Sequence, residues 1–271
     1  MGAEGVGMRV TLAAVAVTAA AAGCAAAGAS HTAPGPPAAP RHRPVPAVAR
    51  APAERAILLG RSVDGRPIRL VERQGRRPGR SILVVGCIHG TEPAGIAVTA
   101  RLLGGPPPAA GTLWVIQDLN PDGRKRGIRT NAHGVDLNRN FPSQWRPIGV
   151  PGDPQYSGPR PLSEPESRLA VRAIERVHPD ITIWFHQPQT IVRAFGPSEP
   201  TARRYARLVH MTYRRIHWPS GTAANWQNHR FPGRPAFVVE LAPGPLPAAG
   251  VARHVRAIRR LALPAVRTSG R

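Results

Sequence analysis

Short apolar runs alternate with amphipathic stretches through most of the chain after residue 53. Runs that are apolar at nearly every position are typical of strands covered on both faces of a sheet. Four such runs occur: "SILVVGC" at 81–87, "TLWVIQDL" at 112–119, "ITIWF" at 181–185 and "AFVVEL" at 236–241. Before them, "RAILLGRSVDGRPIRLVERQ" at 55–74 predicts two strands joined at "VDG", a β-hairpin.

Helical patterns lie between these runs. "PAGIAVTARLL" at 93–103 predicts a helix with its proline in the first turn, and "SEPE" at 163–166 predicts a capping box from Ser163 to Glu166. Each of the three helices that follow is predicted to have one apolar face: Ala170, Ala173, Ile174 and Val177; Tyr205, Leu208, Val209 and Thr212; Val251, Val255 and Ile258. Strands that alternate with helices predict an α/β fold, a mostly parallel sheet with helices on both faces.

The N-terminus is typical of an export signal. Residues 11–22, "TLAAVAVTAAAA", form an apolar run after Arg9 that is too short to span a bilayer. "AAGC", which ends at Cys24, resembles a bacterial lipobox except that alanine stands where leucine is usual, so lipidation of Cys24 would anchor the protein to a membrane. Ordinary cleavage after "AGA" at 27–29 is the alternative. Either processing event predicts an exported protein, held at the cell envelope or secreted.

Composition divides the chain into three parts. Residues 1–24 are the predicted signal peptide, 25–53 a linker rich in proline and alanine, and 54–268 a single catalytic domain. The segment 31–53 contains seven prolines and almost no large apolar side chain, which favours an extended tether. Two cysteines, Cys24 and Cys87, cannot form a disulfide framework, and Cys87 is predicted to be a core residue.

The chain is strongly basic, with a formal net charge of +22. Of its 37 basic residues only Lys125 is lysine, and this arginine excess beside abundant alanine, glycine and proline is typical of a GC-rich genome. A selected affinity for an anionic surface, such as a cell envelope, stays an alternative. Aromatic residues make up 5% of the chain, too few for a stacking surface, so no specific nucleic-acid partner is expected. The oligomeric state does not follow from the sequence.

Polar residues with metal-binding chemistry stand where the buried strands end. His89 and Glu92 follow the first buried run, His186 follows "ITIWF", and Glu240 lies in the last run. In open α/β sheets, sites form at the carboxyl ends of strands. Two histidines and one carboxylate there fit a catalytic zinc site that keeps a further position for water. The other histidines, including His210 and His254 on predicted polar helix faces, are interpreted as structural or solvated.

A set of motifs in a fixed order resembles the zinc carboxypeptidases of the funnelin kind. The chain carries "HGTE" at 89–92, "NPDG" at 120–123, "RTN" at 129–131, "VDLNRNFP" at 135–142 and "FVVEL" at 237–241. The resemblance covers about 54–245 and implies the carboxypeptidase sandwich, with a mixed, roughly eight-stranded sheet. "YSGPRPLSEPESR" at 156–168 most resembles the bacterial murein tripeptide amidases, which cut the bond between γ-D-glutamate and diaminopimelate in cell-wall peptides.

The resemblance implies a role for each matching residue. His89, Glu92 and His186 would bind one Zn²⁺ per chain, and Asp136 would orient a zinc-binding histidine, although a loop-capping role for Asp136 is an alternative. Glu240 would be the general base, taking a proton from the attacking water and giving it to the leaving nitrogen.

Three further residues would contact the substrate. Arg139, with Asn138 beside it, would bind a free carboxylate, because a planar guanidinium matches a carboxylate with two hydrogen bonds. Arg129 would polarise the scissile carbonyl. Pancreatic-type members have a mobile tyrosine 22 residues before the base, where this chain has Trp218. The family often has a cis peptide after the third ligand, which predicts one at Gln187–Pro188.

Together these features predict an exported zinc metallopeptidase that hydrolyses an amide bond near a free C-terminal carboxylate, with murein peptides as the leading substrate. Four alternatives remain open. The chain could be a general metallocarboxypeptidase on ordinary peptides, an N-acyl amino-acid deacylase, a non-catalytic envelope-binding lipoprotein, or a polycationic adhesion or nucleic-acid-binding protein. Salt dependence of binding would test the last alternative.

Overall fold

The computed structural model describes residues 54–264. Its strands are β1 (Glu54–Arg61), β2 (Pro67–Gln74), β3 (Ser81–Val85), β4 (Thr112–Ile116), β5 (Ile181–His186), β6 (Ile191–Ala194), β7 (Thr212–Arg215) and β8 (Ala236–Glu240). Its α-helices are α1 (Ala94–Gly104), α2 (Pro121–Arg126), α3 (Pro165–Val177), α4 (Glu199–Val209), α5 (Ala223–Arg230) and α6 (Ala248–Ala262).

The strands form one mixed sheet of eight, in the order β1-β2-β4-β3-β5-β8-β6-β7. β1 and β2 pair antiparallel as the predicted hairpin, while β4, β3, β5 and β8 are parallel neighbours. β6 then runs antiparallel to β8. The predicted α/β fold with a mixed, eight-stranded sheet is therefore confirmed.

The central strands are apolar at almost every position because helices cover both faces of the sheet. One core contains Val84, Phe185 and Val239 with apolar residues of α1, α4 and α6. The opposite core contains Leu83 and Trp184 with apolar residues of α3 and α5. Successive residues along a strand point to opposite faces, so each central strand contributes to both cores. These two cores hold the carboxyl ends of the strands in fixed positions.

The predicted capping box before α3 is wrong. The helix begins at Pro165 after Glu164, and no side chain caps its first turn. Ser163 instead donates a hydrogen bond to the Glu164 carboxylate. Glu166 is fully buried and accepts hydrogen bonds from the Val63 amide and from Asn131, so it links α3 to the hairpin and to a distant loop. Proline is favoured at the first helical position, so Glu164 is the residue before the helix and Ser163 lies one position too early to cap it.

Two further details differ from the sequence predictions. Thr212 lies in β7 and not on the face of α4, which ends at Val209. His254 is not on a polar helix face: it is 4% exposed, and its Nδ1 lies 2.8 Å from the Tyr205 hydroxyl. The imidazole fills the interface between α4 and α6, where a hydroxyl partner satisfies its nitrogen.

Several predictions fall outside the described residues. The signal peptide 1–24, the linker 25–53, the lipobox at Cys24 and the last residues of the predicted 54–268 domain, 265–268, all lie there. Within 54–264, no helix is long and apolar enough to cross a bilayer. Cys87 is fully buried two residues after the end of β3, as expected of a core residue, and burial raises the pKa of its thiol.

Candidate metal centre and substrate cavity

Three adjacent parallel strands bring the metal-binding residues together. β3 leads into the loop that carries His89 and Glu92, while His186 and Glu240 are the last residues of β5 and β8. β5 lies between the other two strands, and His186 and Glu240 are direct partners across the β5–β8 pair. All four side chains are therefore at the carboxyl edge of the sheet, where the sequence predicted them.

The three predicted metal ligands converge on one point. One donor atom from each of His89, Glu92 and His186 lies within 4.8 Å of the other two. Glu92 Oε2 is 2.9 Å from Nδ1 of each histidine, and the two Nδ1 atoms are 3.2 Å apart. Donors bound tetrahedrally to one ion at about 2.1 Å would be roughly 3.4 Å apart. The donor set and its spacing therefore fit a single Zn²⁺.

Asp136 fixes the orientation of His89. Its Oδ1 lies 2.9 Å from His89 Nε2, and the carboxylate is fully buried. Because an ionised carboxylate only accepts hydrogen bonds, the hydrogen of His89 is on Nε2 and the lone pair of Nδ1 faces the metal position. Burial opposes the charge of Asp136, but His89 and Arg129 outweigh it and hold the pKa of this carboxyl below its usual range.

The other two ligands, Glu92 and His186, are in the protonation states that bind a cation. Burial disfavours an ionised Glu92, yet the imidazoles of His186 and His89 beside it hold its pKa below the ordinary value. Burial lowers the pKa of His186 to about 4, so this imidazole is neutral at neutral pH. A neutral imidazole and an ionised carboxylate are the forms of these side chains that bind metals.

Glu240 stands beside the metal position without a partner of its own. It is 6% exposed, and within the described part of the chain its buried Oε2 has no hydrogen-bond partner. No ion pair joins it to an arginine of residues 54–264. Burial, and next the charge of Glu92, raises the pKa of Glu240 to about 7. A carboxylate with this environment can take up a proton near neutral pH.

Arg129 and Arg139 both line the site but differ in how they are bound. Arg129 Nη1 donates to Glu92 at 2.7 Å, and its Nε and Nη2 donate to Asp136 at 3.2 and 3.1 Å. Arg139 Nη1 donates to the Asn138 carbonyl, and no acidic side chain in residues 54–264 pairs with its guanidinium. Burial lowers the pKa of Arg139. Arg129 is thus fixed in place, whereas Arg139 has donors left for an anion.

Asn138 lines the site, but its side chain is hydrogen-bonded to other residues of the protein. Its Nδ2 lies 3.4 Å from His186 Nε2, and its Oδ1 accepts from the Ala223 amide at 3.0 Å. Gln187, which the sequence analysis did not identify, has a similar role. Its amide donates to Glu92 Oε2, and its side chain accepts from the Ala94 amide at the start of α1. Both carboxamides hold ligand-bearing segments together.

Other polar residues of the recognised motifs form a buried support beneath the site. Asn120 caps α2 and donates to the carbonyls of Arg129 and Thr130, which positions the arginine loop. Asn131 Nδ2 donates to Glu164 and Glu166 of the α3 start. Asn120 and Asn131 are fully buried, and buried polar groups need such partners. Part of the motif pattern therefore reflects loop architecture and not chemistry.

A cavity of about 350 Å³ opens over this centre. Its walls include the metal-binding residues with Arg129, Asn138, Arg139, Arg193, Trp218 and Glu240. Trp218, which occupies the sequence position of the tyrosine of pancreatic-type members, lies in the cavity wall. The predicted cis peptide at Gln187–Pro188 is present in the same wall. All the residues predicted from sequence are thus within or directly behind one cavity.

Comparison with known proteins agrees with this arrangement. Residues 110–244 match the zinc carboxypeptidase family. Murein peptide amidase A of Escherichia coli (strain K12) is 31% identical over 140 residues, which cover 48% of this chain and 57% of that protein. Murein peptide amidase A of Vibrio campbellii is 33% identical over 156 residues, covering 51% and 62%. The matches thus span less than two thirds of these relatives.

The fold is also similar to that of a murein-tripeptide amidase. The crystal structure of murein-tripeptide amidase from Escherichia coli O157 superposes with a TM-score of 0.61 at 24% identity, over 76% of this chain and 90% of that one. At this identity the likeness shows the fold alone. With the ordered motifs and the converging ligands, the family match shows that the chain contains a zinc carboxypeptidase domain, matched over residues 110–244.

Proposed function

We propose that the protein is an exported zinc hydrolase that cleaves an amide bond next to a free C-terminal carboxylate. The observation that carries this proposal is the Oε2 atom of Glu240, which has no hydrogen-bond partner among residues 54–264 and lies beside three converging metal ligands. An unsatisfied buried polar atom destabilises the fold, so a carboxylate oxygen kept in this state beside a metal site is best explained by proton exchange or by contact with substrate.

The chain's own residues supply the remaining steps. Zn²⁺ bound by His89, Glu92 and His186 would act as a Lewis acid on water and on the scissile carbonyl. Glu240 takes the proton of the attacking water and gives it to the leaving nitrogen, which its pKa of about 7 permits in both directions. Arg129 uses three of its five N–H groups on Glu92 and Asp136, so two remain to stabilise the developing oxyanion.

Arg139 determines which end of a peptide is bound. Its guanidinium lies in the cavity wall without an acidic partner among residues 54–264, and an arginine fork binds a carboxylate through two charge-assisted hydrogen bonds. An endopeptidase has no need of such a group. The proposal is therefore cleavage of a C-terminal residue, or of a short tail that ends in a carboxylate.

We expect wild-type protein to cleave peptides with an amidated C-terminus much more slowly than the free acids. The loss should be about 2–4 kcal/mol of transition-state stabilisation, the order of magnitude for removing one partner of a charged pair. Arg139→Ala should slow cleavage of the free acid until the two substrates are similar. The values of kcat/KM for both substrates and both proteins measure this effect.

The matched control for this experiment is Arg69→Ala, since Arg69 is exposed on β2 and does not line the cavity. It should leave both substrates unchanged. Equal cleavage of amidated and free-acid peptides by the wild type would contradict the carboxylate-binding role. That result would favour an endopeptidase or an N-acyl amino-acid deacylase.

Murein peptides are the proposed natural substrate. Support comes from the partial identity to two murein peptide amidases and from the motif "YSGPRPLSEPESR" at 156–168. The predicted export signal at 1–24 would deliver the enzyme to the compartment that contains this polymer. Lipidation of Cys24 would keep it at the membrane, and mass spectrometry of the mature N-terminus tests that part separately.

An anionic envelope surface is a further proposed partner. A cleft of about 780 Å³ is lined by Arg76, Arg77, Arg256, Arg259 and Arg260. The cleft is formed by the segments that precede β3 and β4 and by the end of α6. It therefore lies at the amino ends of these strands, opposite the carboxyl ends that carry the metal centre. Burial, and next the charges of Arg73 and Arg101, lower the pKa of Arg259. Repulsion within this cluster would be relieved by a bound anion.

Replacing Arg76, Arg77 and Arg260 together by glutamine should weaken binding to vesicles that contain phosphatidylglycerol. The expected loss is on the order of 100-fold, from about 1 kcal/mol for each basic residue near an anionic surface. The control variant replaces three other exposed arginines, Arg69, Arg172 and Arg207, by glutamine. It should retain the wild-type affinity for the vesicles. Equal losses in both triple variants would mean that net charge alone, and not this cleft, binds the vesicles.

A further inference from the structure

Arg193 is a third arginine of the substrate cavity, and neither the family motifs nor the mechanism above uses it. It lies in β6, where it pairs with Val238 of the antiparallel strand β8. Directly paired residues point to the same face of a sheet, and so do residues two apart on one strand. Arg193 therefore shares the face of Val238 and Glu240, and its side chain lines the same cavity.

The guanidinium of Arg193 has few partners. One hydrogen bond, 3.4 Å long, joins its Nη2 to the His217 carbonyl. Its Nε is buried without a hydrogen-bond partner among residues 54–264, and no carboxylate of that range lies within ion-pair distance. Its Cζ lies 5.5 Å from the centre of the Trp218 ring, which provides a cation–π contact. This contact holds the arginine in place without neutralising it.

The charges around Arg193 favour an additional anion. Burial lowers the pKa of its guanidinium, and the positive charge of Arg139 acts in the same direction, while Glu240 opposes them. Glu240 is not in ion-pair contact and already has a role as base. Two cationic side chains therefore meet in one cavity of about 350 Å³, and each retains free donors. Both guanidinium groups are half-buried and have no acidic partner among residues 54–264, so a bound anion would be favourable.

We propose that Arg193 binds a second carboxylate of the substrate, on the side chain of the C-terminal residue, while Arg139 binds the main-chain carboxylate. This inference rests on the proposed function and names its substrate class: peptides or acyl amino acids whose terminal residue carries an acidic side chain. Trp218 forms the apolar wall along which the stem of that side chain packs.

The test compares two peptides that differ only in ending with glutamate or with glutamine. Wild-type protein should prefer the glutamate peptide by about tenfold to a hundredfold in kcat/KM, the usual range for a hydrogen bond to a charged group. Arg193→Gln should remove this preference, so that the ratio of the two kcat/KM values falls to about one. Arg193→Lys should restore part of the preference, since it returns the charge but not the fork.

The ratio between the two substrates separates recognition from indirect effects. Any influence of Arg193 on Glu240 or on folding lowers both rates alike, so it cancels in the ratio. Arg69→Gln, an exposed arginine replaced in the same way, is the control and should keep the wild-type ratio. Equal rates on the two peptides with the wild type, or an unchanged ratio in Arg193→Gln, would overturn this inference alone. Cleavage of neither peptide would contradict the proposed function and this inference with it.

Discussion

Glu240→Gln should lower turnover by about 10²–10⁴-fold, the usual contribution of a general acid–base group, while the protein keeps its metal and its substrate affinity. Glutamine preserves the size and polarity of the side chain, but it cannot accept the proton of the attacking water. The substitution breaks no ion pair among the described residues, because Oε2 of Glu240 has no partner there. A loss of turnover would therefore report the missing proton acceptor. Single-turnover rates and zinc content measure the two properties separately.

Glu175→Gln is the matched control, since Glu175 is exposed on α3. It should leave turnover and zinc content at the wild-type level. A Glu240→Gln protein with near-normal turnover would show that another group takes the proton. A variant that loses both turnover and zinc would indicate that the substitution damages the metal centre, and the assignment of Glu240 as base would lose its support.

Replacing a metal ligand should produce a graded loss of zinc. His89→Ala and His186→Ala each remove one of three protein donors, so the purified variants should hold little or no zinc at concentrations where wild type holds one per chain. Asp136→Asn keeps all three donors but weakens the hydrogen bond that orients His89. Its zinc affinity should fall by about 10–100-fold. Metal analysis and competition with a chelator give these values.

The control for this series is His229→Ala, because His229 is exposed in the last turn of α5 and is distant in sequence from every ligand. Its zinc content should equal that of wild type. Unchanged zinc in both His89→Ala and His186→Ala would contradict the metal assignment. An unchanged affinity in Asp136→Asn would leave the ligands in place but would assign Asp136 to loop capping, through its hydrogen bond to the Asn138 amide.

The sequence predicted the site better than it predicted the sheet. The buried strands β3, β5 and β8 are recognisable because both faces of each are covered, and their last residues must meet at one edge. That rule places His186 and Glu240 at the same edge, and the observed pairing of β5 with β8 makes them direct neighbours. β6 and β7 were not identified from local patterns, because each has four residues and β7 reads "TYRR", mostly exposed at the end of the sheet.

Residues that act through long-range hydrogen bonds were not predictable. Helix α5 has no apolar stripe, since its first five residues are all buried, so no helical period marks it. Gln187 joins the start of α1 to a metal ligand 95 residues away, and nothing local signals that contact. Arg193 is one of many arginines in the chain, and only the pairing of β6 with β8 places it in the cavity.

The most direct test of the central claim is mass spectrometry of defined peptides after incubation with the purified protein, with and without a zinc chelator. The substrates are a murein tripeptide, an ordinary peptide with a free C-terminus and the same peptide amidated. We predict that the free-acid substrates are cut near their carboxylate end with the gain of one water, that the amidated peptide is largely spared, and that chelation abolishes cleavage until zinc is restored. Chelator-resistant cleavage, or intact substrates with zinc-loaded protein, would contradict the account.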